Sequence, residues 1–283
     1  MSMEVRYAAN PADAKRYDTR QLREEFLVET LFKPGEIVLV YSHVDRMIVG
    51  SACPAGAGRG GEGPAEELSL TAGKELGGEY FLERREMAAL NLGGKGTVRA
   101  DGREYELEKH DALYIGMGTK SISFGGAGSK FYILSSPAHQ TYPTTRVTLE
   151  MAVKSHVGSK KDANERTINK YLDPSVVRTC QLAMGMTALE EGCVWNTMPS
   201  HTHERRMEVY LYLNLPQDAF VVHLMGEPKE TRHIVVRDGQ AVISPSWSVH
   251  SGVGTCAYTF VWGMCGENQT YSDMDLIAMR DLR

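Results

Sequence analysis

Short apolar runs, separated by glycine, proline and aspartate, extend along most of the chain after Lys33. Examples are EIVLVYSHV at 36–44, EVYLYLNL at 208–215 and AFVVHLMG at 219–226. β-Branched and aromatic residues dominate these runs, and many short strands at regular turn spacing are typical of β-sandwiches and barrels. The pattern therefore predicts a mainly β protein built from a double-stranded β-barrel, or jelly roll.

Two short helices are predicted before residue 30. Asn10 precedes a proline, which is the form of a helix N-cap followed by proline in the first turn. Thr19 is positioned to cap a second segment, in which Leu22, Phe26 and Leu27 fall on one face. We expect a few short helices in an otherwise β structure.

The two halves of the chain carry matching landmarks in the same order. The matched pairs are ERR at 83–85 and 204–206, DG at 101–102 and 238–239, and GxGT at 116–119 and 252–255. Such an internal repeat predicts two copies of one barrel. We expect an N-terminal domain of residues 1–153 and a C-terminal domain of residues 154–283, with the polar stretch 154–165 as a linker.

Composition limits the classes of partner. The net charge of −5 gives no basic surface for nucleic acid or an anionic membrane. No apolar run approaches the about 20 residues that span a bilayer, and the N-terminus lacks the apolar core of a signal peptide. Five cysteines without a CxxC pair favour reduced thiols. We therefore expect a cytoplasmic protein with no nucleic-acid or membrane partner.

Two further segments have simple interpretations. The glycine-rich and proline-rich run from Ser51 to Glu66 predicts a loop, because it contains almost nothing to bury. The run from Asn268 to Thr270 has the form of a glycosylation acceptor, which carries no meaning without a secretion signal.

The strongest chemical signal lies in the run HTHERRMEVY. Residues two apart in a strand point to the same face, so His201 and His203 can face the barrel interior together. Glu208 lies five residues after His203, which breaks this alternation. We expect a β-bulge between them to restore it, and Tyr210 and Tyr212 then share the interior face with Glu208.

A second segment supplies a fourth ligand. The run from Gly239 to His250 has the form Gx5PxxxxH, and a turn there would bring His250 to the mouth of the barrel. Three imidazoles and one carboxylate suit zinc, iron, manganese or nickel, and coordination positions left for substrate would make the site catalytic. The sequence thus predicts one mononuclear metal site formed by His201, His203, Glu208 and His250.

The N-terminal copy lacks these ligands. Aligned on the ERR triplet, the first three ligand positions hold Tyr80, Leu82 and Met87. Aligned on the GxGT landmark, the fourth holds Tyr114. We expect the first barrel to be metal-free, with a structural role or a role in an interface.

The spacings HxHx4E and Gx5PxxxxH resemble the two cupin motifs, with Trp247 in a place where cupins usually have glycine. Longer blocks resemble the 5-keto-4-deoxyuronate isomerase family, also called 4-deoxy-L-threo-5-hexosulose-uronate ketol-isomerases. These blocks include TMPSHTHERRMEVYLYLNL, AVISPSWSVHSGVGT and YFLERREMAALNLGG. The resemblance covers nearly the whole chain and implies a two-domain, bicupin fold. The clear departure is the segment from Ser51 to Glu66, which is longer than the family usually has.

This resemblance also implies a function. It implies an isomerase that converts 4-deoxy-L-threo-5-hexosulose uronate into 3-deoxy-D-glycero-2,5-hexodiulosonate during degradation of pectin or related polyuronides. It implies one zinc ion per subunit on the four predicted ligands and a homo-oligomer, usually a hexamer. Iron, manganese and nickel remain open from ligand type alone.

The substrate of such an enzyme carries a carboxylate. Arg205 is the first candidate to bind it, by strand parity, and Arg206 is the alternative. Tyr210 and Tyr212 are candidates to donate hydrogen bonds to substrate oxygens, or they serve packing alone.

Moving a proton between neighbouring carbons requires a base. Candidates are Glu204, His223 and His233, with Tyr212 as a further catalytic candidate. A hydride shift between the two carbons would need no base.

Two other functions are compatible with the metal motif. One is an iron-dependent cupin dioxygenase, because the same ligands suit iron. The other is a sugar-binding regulatory or storage cupin. The absence of a DNA-binding segment or basic patch counts against the regulatory form, and the retained ligands and inward tyrosines count against storage.

Overall fold

The computed structural model describes residues 3–56, 66–267 and 272–283. Most of the predicted glycine-rich loop (57–65) and the predicted glycosylation acceptor therefore lie outside the described residues. The strand that precedes the loop continues to Ala52, so the predicted loop begins later than Ser51. No helix in the described part of the chain has the length and apolar run needed to cross a bilayer.

Both predicted helices are confirmed. Helix α1 (Pro11–Ala14) begins after Asn10, whose side chain accepts the Ala12 amide as predicted. Helix α2 (Thr19–Phe26) is capped by Asp18 in a capping box with Gln21, and the prediction that Thr19 is the cap was wrong by one residue. Short 3₁₀ helices occur at Lys74–Leu76 and Met279–Asp281.

Strands are the main regular elements of the described structure. In the first half of the chain they are β1 Met3–Arg6, β2 Leu27–Val28, β3 Ile37–Ser42, β4 Ile48–Ala52, β5 Leu68–Leu70, β6 Arg85–Asn91, β7 Gly96–Ala100, β8 Arg103–Leu107, β9 Ala112–Ile115, β10 Ile122–Gly125, β11 Phe131–Pro137 and β12 Thr145–Val147. In the second half they are β13 Val153–Val157, β14 Arg166–Leu172, β15 Ala183–Leu189, β16 Trp195–Asn196, β17 His201–Thr202, β18 Arg206–Leu213, β19 Val221–Glu227, β20 Glu230–Val236, β21 Ala241–Ser244, β22 Ser251–Gly254, β23 Thr259–Gly266 and β24 Asp275–Leu276.

The described strands form the same pair of sheets twice. The first pair has the orders β1-β3-β4-β11-β6-β9-β12 and β5-β10-β7-β8. The second pair has the orders β13-β14-β15-β23-β18-β21-β2 and β16-β22-β19-β20. Position by position, β18 corresponds to β6 and β23 to β11. The predicted fold class is confirmed: the chain is mainly β and consists of two jelly-roll units of the cupin type with a few short helices.

Each unit has a core to which both of its sheets contribute. In the first unit, Leu39 and Ile48 of the larger sheet share one buried cluster with Val98 and Phe124 of the smaller sheet. In the second unit, the core also contains the apolar faces of the two helices, because their buried side chains belong to the same cluster as those of the sheets. The sheets of each unit are thus held by apolar burial, the main favourable term in folding.

The chain divides into two compact units that exchange short segments. The first comprises Met1–Tyr7, Thr30–Ala152 and Tyr171–Leu182. The second comprises Ala8–Glu29, Val153–Lys170 and Ala183–Arg283. The domain limits of 1–153 and 154–283 stay a prediction. The stretch predicted as a linker begins within β13, which pairs antiparallel with β14, so the linker prediction was wrong for its first residues.

Strand pairing corrects one landmark of the internal repeat. The ERR triplets do correspond, since their last arginines begin β6 and β18. The two DG pairs do not, because the first forms the β7–β8 turn and the second lies between β20 and β21. The position equivalent to Gly239 is His110, and both residues have positive φ, 74° and 71°.

The GxGT landmark was also wrong, and with it one predicted equivalence. Residues 116–119 precede β10, whereas 252–254 lie inside β22. Counting paired residues from the hairpins β7–β8 and β19–β20 places Ile122, rather than Tyr114, at the position of His250. Ile122 is a buried apolar side chain and cannot bind a metal ion.

Candidate metal centre

Four buried side chains of the second unit place their ligand atoms within 4.8 Å of one another. These residues, called the ligand cluster below, are His201, His203, Glu208 and His250. His201 Nε2 lies 3.1 Å from His203 Nε2 and 3.0 Å from His250 Nε2. Glu208 Oε2 lies 3.2 Å from His203 Nε2 and 2.8 Å from His250 Nε2. The four predicted ligands therefore meet at one point.

These distances fit a divalent cation. With metal–ligand bonds of about 2.1 Å, neighbouring ligands lie about 3.0 Å apart at right angles and about 3.4 Å apart at tetrahedral angles. The four distances, 2.8 to 3.2 Å, are nearer to the right-angled arrangement. The cluster brings three imidazole nitrogens and one carboxylate oxygen together in a buried space, where polar atoms need partners.

The electrostatics of two members of the ligand cluster, His201 and Glu208, favour the forms that bind metals. Burial, reinforced by the charge of His250, lowers the pKa of His201 to about 2 and keeps its imidazole neutral. Burial alone would raise the pKa of Glu208, but the charge of His250 and hydrogen bonds from His203 and His250 outweigh it and lower that pKa. Neutral imidazoles and an ionised carboxylate are the ligand forms that a divalent cation needs.

A turn joins the first two histidines to the glutamate. His201 lies in β17, the turn contains Glu204 and Arg205, and β18 begins at Arg206. The predicted β-bulge was wrong, although the turn achieves the same result by resetting the alternation before Glu208. Arg205 lies in this turn and not in a strand, so the prediction from strand alternation that its side chain points into the barrel was also wrong.

The second motif reaches the first through a backbone contact. The Ser248 amide donates to the Pro245 carbonyl in a tight turn, and the His203 amide donates to the Ser246 carbonyl at 3.3 Å. His250 then immediately precedes β22. Trp247, at the position where cupins usually have glycine, packs edge-on against Phe26 with ring centroids 6.2 Å apart. The larger residue thus fills space beside helix α2 and takes no part in the ligand cluster.

The C-terminal segment supports the first motif from outside. Strand β24 pairs antiparallel with β17, placing Leu276 opposite His201. The Nδ1 of His203 is in hydrogen-bond contact with the Asp273 carbonyl, which also accepts Nη2 of Arg206 at 3.2 Å. A proton held on Nδ1 leaves Nε2 of His203 as the ligand atom, and such outer contacts orient metal-binding histidines.

A cavity of about 260 Å³ opens beside the ligand cluster. Its lining consists of Val157, Arg166, Ile168, Thr187, Thr197, Met198, Pro199, His201, His203, Arg206, Glu208, Tyr210, Phe260, Trp262, Met264, Met274 and Leu276. At about 30 Å³ per water molecule, this volume equals roughly nine waters and suits a six-carbon sugar acid. Three of the four predicted ligands thus face a space of the size of a small metabolite.

Two hydroxyl groups meet at the cavity wall. The Tyr210 hydroxyl lies 2.8 Å from Thr197 Oγ1. Thr197 has a φ of 49°, a strained conformation for a β-branched side chain. Strain of this kind concentrates at functional sites. Tyr210 lines the cavity, and its contact with substrate oxygens stays a prediction.

His223 and Tyr212 form a buried pair in the core of the second unit. The Tyr212 hydroxyl lies 2.7 Å from His223 Nδ1, and both side chains are fully buried. Burial, followed by the charge of His250, lowers the pKa of His223 to about 3. Burial also raises the pKa of Tyr212 well above its usual value. His223 is thus a neutral imidazole at pH 7.

The remaining candidates lie at the surface. Glu204 and His233 are exposed, and Arg205, 64% exposed, forms a loose ion pair with Glu267 at 4.0 Å. Arg206, the predicted alternative, is buried and lines the cavity. The structure therefore brings Arg206 to the site and leaves Arg205 away from it.

The sequence analysis missed most of the cavity lining, including the polar residues Arg166 and Thr197. Arg166 begins β14 directly after the polar stretch predicted as a linker, and Thr197 lies outside both motifs. The one sequence signal at Arg166 was its position where the polar stretch ends and a strand begins. No pattern in the sequence distinguishes Thr197.

Comparison with known proteins is consistent with this geometry. The family model described as KduI/IolB matches residues 58–279, which include most of both units and the whole ligand cluster. The chain belongs to the KduI/IolB family. The relatives of this chain are therefore sought within the KduI/IolB family.

Two curated relatives match along the full length. A protein of Caldicellulosiruptor bescii is 54% identical, and one of Lachnoclostridium phytofermentans is 57% identical. Each alignment covers 99% of this chain and 100% of the relative. Both relatives are named 4-deoxy-L-threo-5-hexosulose-uronate ketol-isomerase.

A solved structure supports the fold. The crystal structure of an IolB-like protein from Salmonella typhimurium LT2 has a TM-score of 0.71 to this chain. It covers 89% of this chain and 97% of its own, at 13% sequence identity. This likeness concerns the fold alone.

Proposed function

We propose that this chain is a metal-dependent ketol-isomerase. It converts 4-deoxy-L-threo-5-hexosulose uronate into 3-deoxy-D-glycero-2,5-hexodiulosonate, a step in the degradation of pectin or related polyuronides. The observation that carries the proposal is the buried ligand cluster beside a cavity of metabolite size. The names of relatives at 54% and 57% identity support the choice of substrate.

The reaction moves a hydrogen between neighbouring carbons while the carbonyl group changes place. A divalent cation held by the ligand cluster would supply a Lewis acid for the oxygens of these two carbons. The protein buries all four ligand residues, and charge interactions strengthen where water is excluded.

The cavity wall offers groups for the rest of the substrate. The hydroxyls of Tyr210 and Thr197 can hold a substrate oxygen by accepting and donating hydrogen bonds. Arg206 adds a permanent positive charge near the ligand cluster, since its Nε lies 3.3 Å from His203 Nδ1. These contacts would orient the substrate, which lowers the barrier by fixing the reacting geometry.

The hydrogen can move between the two carbons either as a proton carried by a base or as a hydride. The exposed position of Glu204 argues against it as the base, while His223 and Tyr212 are buried in the core. A proton shuttle through a base would exchange with solvent, whereas a hydride shift would not. Running the reaction in deuterated water and examining the product by mass spectrometry distinguishes them: solvent deuterium at the receiving carbon indicates the shuttle.

The function is tested with purified protein of known metal content. We expect the metal-loaded protein to convert the ketouronate under anaerobic conditions, with the product monitored by NMR. Activity without oxygen also distinguishes an isomerase from a dioxygenase. His250→Ala should lose bound metal and at least about a hundredfold in kcat/KM, because the Lewis acid contributes several kcal/mol. Metal-loaded wild-type protein that yields no isomer would contradict the proposal.

Three finer features complete the proposal; the first and third rest on the resemblance to the family, and the second rests on the composition of the chain. They are zinc as the resident ion, a cytoplasmic location and assembly into hexamers. Metal analysis of protein purified without added metals, together with light scattering for mass, tests the first and third.

A further inference from the structure

The cavity is lined by two arginines with different surroundings. Arg206 is 1% exposed, its Nε lies 3.3 Å from His203 Nδ1, and its Nη2 donates to the Asp273 carbonyl. These contacts are on the side of the His203 ring opposite to Nε2, which faces the other ligands. Arg206 is therefore part of the support of the ligand cluster.

Arg166 has a different position. It begins β14 and is partly exposed, and its Nη1 donates to the Asn164 carbonyl at 2.7 Å. The sheet order β14-β15-β23-β18 separates its strand from that of Glu208 by two intervening strands. At about 4.8 Å per strand spacing, the two strands lie roughly 14 Å apart across the sheet. The two residues are also offset along the strands, because Glu208 is level with Ala183 through Met264, whereas the Glu190 amide bonds to the Glu165 carbonyl beside Arg166. Arg166 therefore faces the cavity from the end remote from Glu208.

The two ends of the proposed substrate differ in chemistry, as the two ends of the cavity do. The substrate carboxylate lies at the opposite end of the molecule from the two carbons that exchange the carbonyl group. With carbon–carbon bonds of about 1.5 Å, an extended six-carbon chain measures roughly 6 Å from end to end. Glu208 and Arg166 both line the cavity.

The wall between the two ends is mainly apolar. Ile168, Phe260, Trp262 and Met264 line it, and Trp262 Nε1 donates to Thr187 Oγ1 at 3.2 Å. A carboxylate that enters such a space loses water and needs a charged partner. A guanidinium group is well suited, because it binds carboxylates through paired hydrogen bonds.

We propose that Arg166 binds the carboxylate of the substrate and sets the preference for uronates over neutral sugars. This inference rests on the proposed function. It assigns different roles to the two arginines of the cavity: Arg166 recognises substrate, and Arg206 supports the ligand cluster.

The test compares Arg166→Gln with the wild type on two compounds, the ketouronate and its primary amide. Loss of a charged hydrogen-bond pair costs about 1.5–3 kcal/mol, which corresponds to about a 10-fold to 150-fold rise in KM for the ketouronate. The KM for the uncharged amide should change less than about twofold. Arg166→Lys, which keeps the charge but not the paired geometry, should fall between.

Two further variants provide controls. Arg205→Gln removes an exposed arginine and should leave KM and metal content unchanged. Arg206→Gln should lower metal content, whereas both Arg166 variants should retain it. Far-UV circular dichroism checks the folding of each variant, and Arg166→Lys serves if the glutamine variant fails to fold.

The outcomes separate this inference from the proposed function. Wild-type protein that isomerises neither compound would overturn the proposed function, and the role of Arg166 with it. Active wild type, combined with an Arg166→Gln variant whose KM is unchanged or rises equally for both compounds, would overturn the role of Arg166 alone.

Discussion

The imidazole Nδ1 of His203 is in hydrogen-bond contact with the backbone carbonyl of Asp273. The two residues are far apart in the sequence, because His203 precedes strand β18 and Asp273 follows strand β23. The contact depends on the C-terminal segment remaining beside β17. A further bond nearby, from the Ile277 amide to the Ser200 carbonyl at 2.8 Å, holds the segment there. The ligand cluster therefore depends on backbone geometry as well as on its own side chains.

Ile277→Pro should weaken metal binding without unfolding the protein. Proline removes the amide that bonds to Ser200, so β24 should no longer keep the Asp273 carbonyl against His203. Loss of an outer partner of a metal ligand typically lowers affinity about 10-fold to 100-fold. Competition with a chromogenic chelator measures the affinity. Ile277→Ala keeps the amide and is the control; equal affinities in the two variants would contradict the prediction.

The stability of the metal-stripped protein should fall as the pH is lowered below about 6.5. The pKa of His223 is lowered to about 3 by burial and by the charge of His250, whereas the unfolded chain has its ordinary histidine pKa. Below the ordinary value the unfolded state takes up a proton that the native state does not, which favours unfolding. This one residue should cost about 2 kcal/mol between pH 7 and pH 5.

Urea unfolding at pH 7, 6 and 5 measures this dependence. His223→Gln can still bond to the Tyr212 hydroxyl but cannot titrate, so its stability should vary less over the same range. The same pH dependence in wild type and variant would show that His223 is not responsible.

Glu86→Gln should destabilise the first unit. The Glu86 carboxylate is fully buried and accepts the amides of Cys180, Gln181 and Leu182 and the hydroxyl of Tyr114, at 2.7–2.8 Å. An amide nitrogen in place of one oxygen would face these donors and leave buried groups without partners. We expect a loss of about 3 kcal/mol, seen as a lower urea midpoint.

Hydrogen exchange gives a local measurement of the same effect. The amides of residues 180–182 should exchange faster in Glu86→Gln. Glu104→Gln, which breaks a solvent-exposed ion pair with Arg99, should change stability by less than about 1 kcal/mol. Unchanged exchange at residues 180–182 in Glu86→Gln would show that the carboxylate does not hold this segment.

Gly185→Ala should impair both stability and substrate binding. A Cβ at Gly185 would lie 2.0 Å from Trp262 Cζ2 and 2.7 Å from the Asn169 carbonyl oxygen, so the indole must move. Because Trp262 lines the cavity, we expect a higher KM as well as a loss of about 1–3 kcal/mol. Gly94→Ala is the control, since its nearest neighbour would lie 3.6 Å away. A normal KM in Gly185→Ala would contradict the link between Trp262 and the cavity.

The ligand cluster was predictable because its evidence is local. His201 and His203 lie two residues apart, and Glu208 and His250 occur at motif spacings that place each on a strand or at its start. Arg166 reaches the same cavity only through the pairing of distant strands, which no spacing in the sequence records, and Thr197 belongs to neither motif although it lies just before His201. The positions of tertiary neighbours therefore had to come from the structure.

Errors in the sequence analysis have similar physical causes. A bulge and a turn both reset strand alternation, so the spacing from His203 to Glu208 could not distinguish them. Turn residues recur wherever a chain reverses, which made two unrelated DG turns look equivalent. Gly239 and His110 show the difficulty, since different residue types satisfy the same need for positive φ.

The exchange of segments between the two units has a consequence for synthesis. Strand β2 pairs with β21, so Leu27 meets Val242 only after most of the chain exists. At about 5–20 residues per second, roughly 200 residues take about 10–40 seconds to emerge from a ribosome. During that interval the apolar face of Leu22, Phe26 and Leu27 has no native partner strand to cover it. Nascent chains stalled in this window should be bound by chaperones more strongly than completed ones.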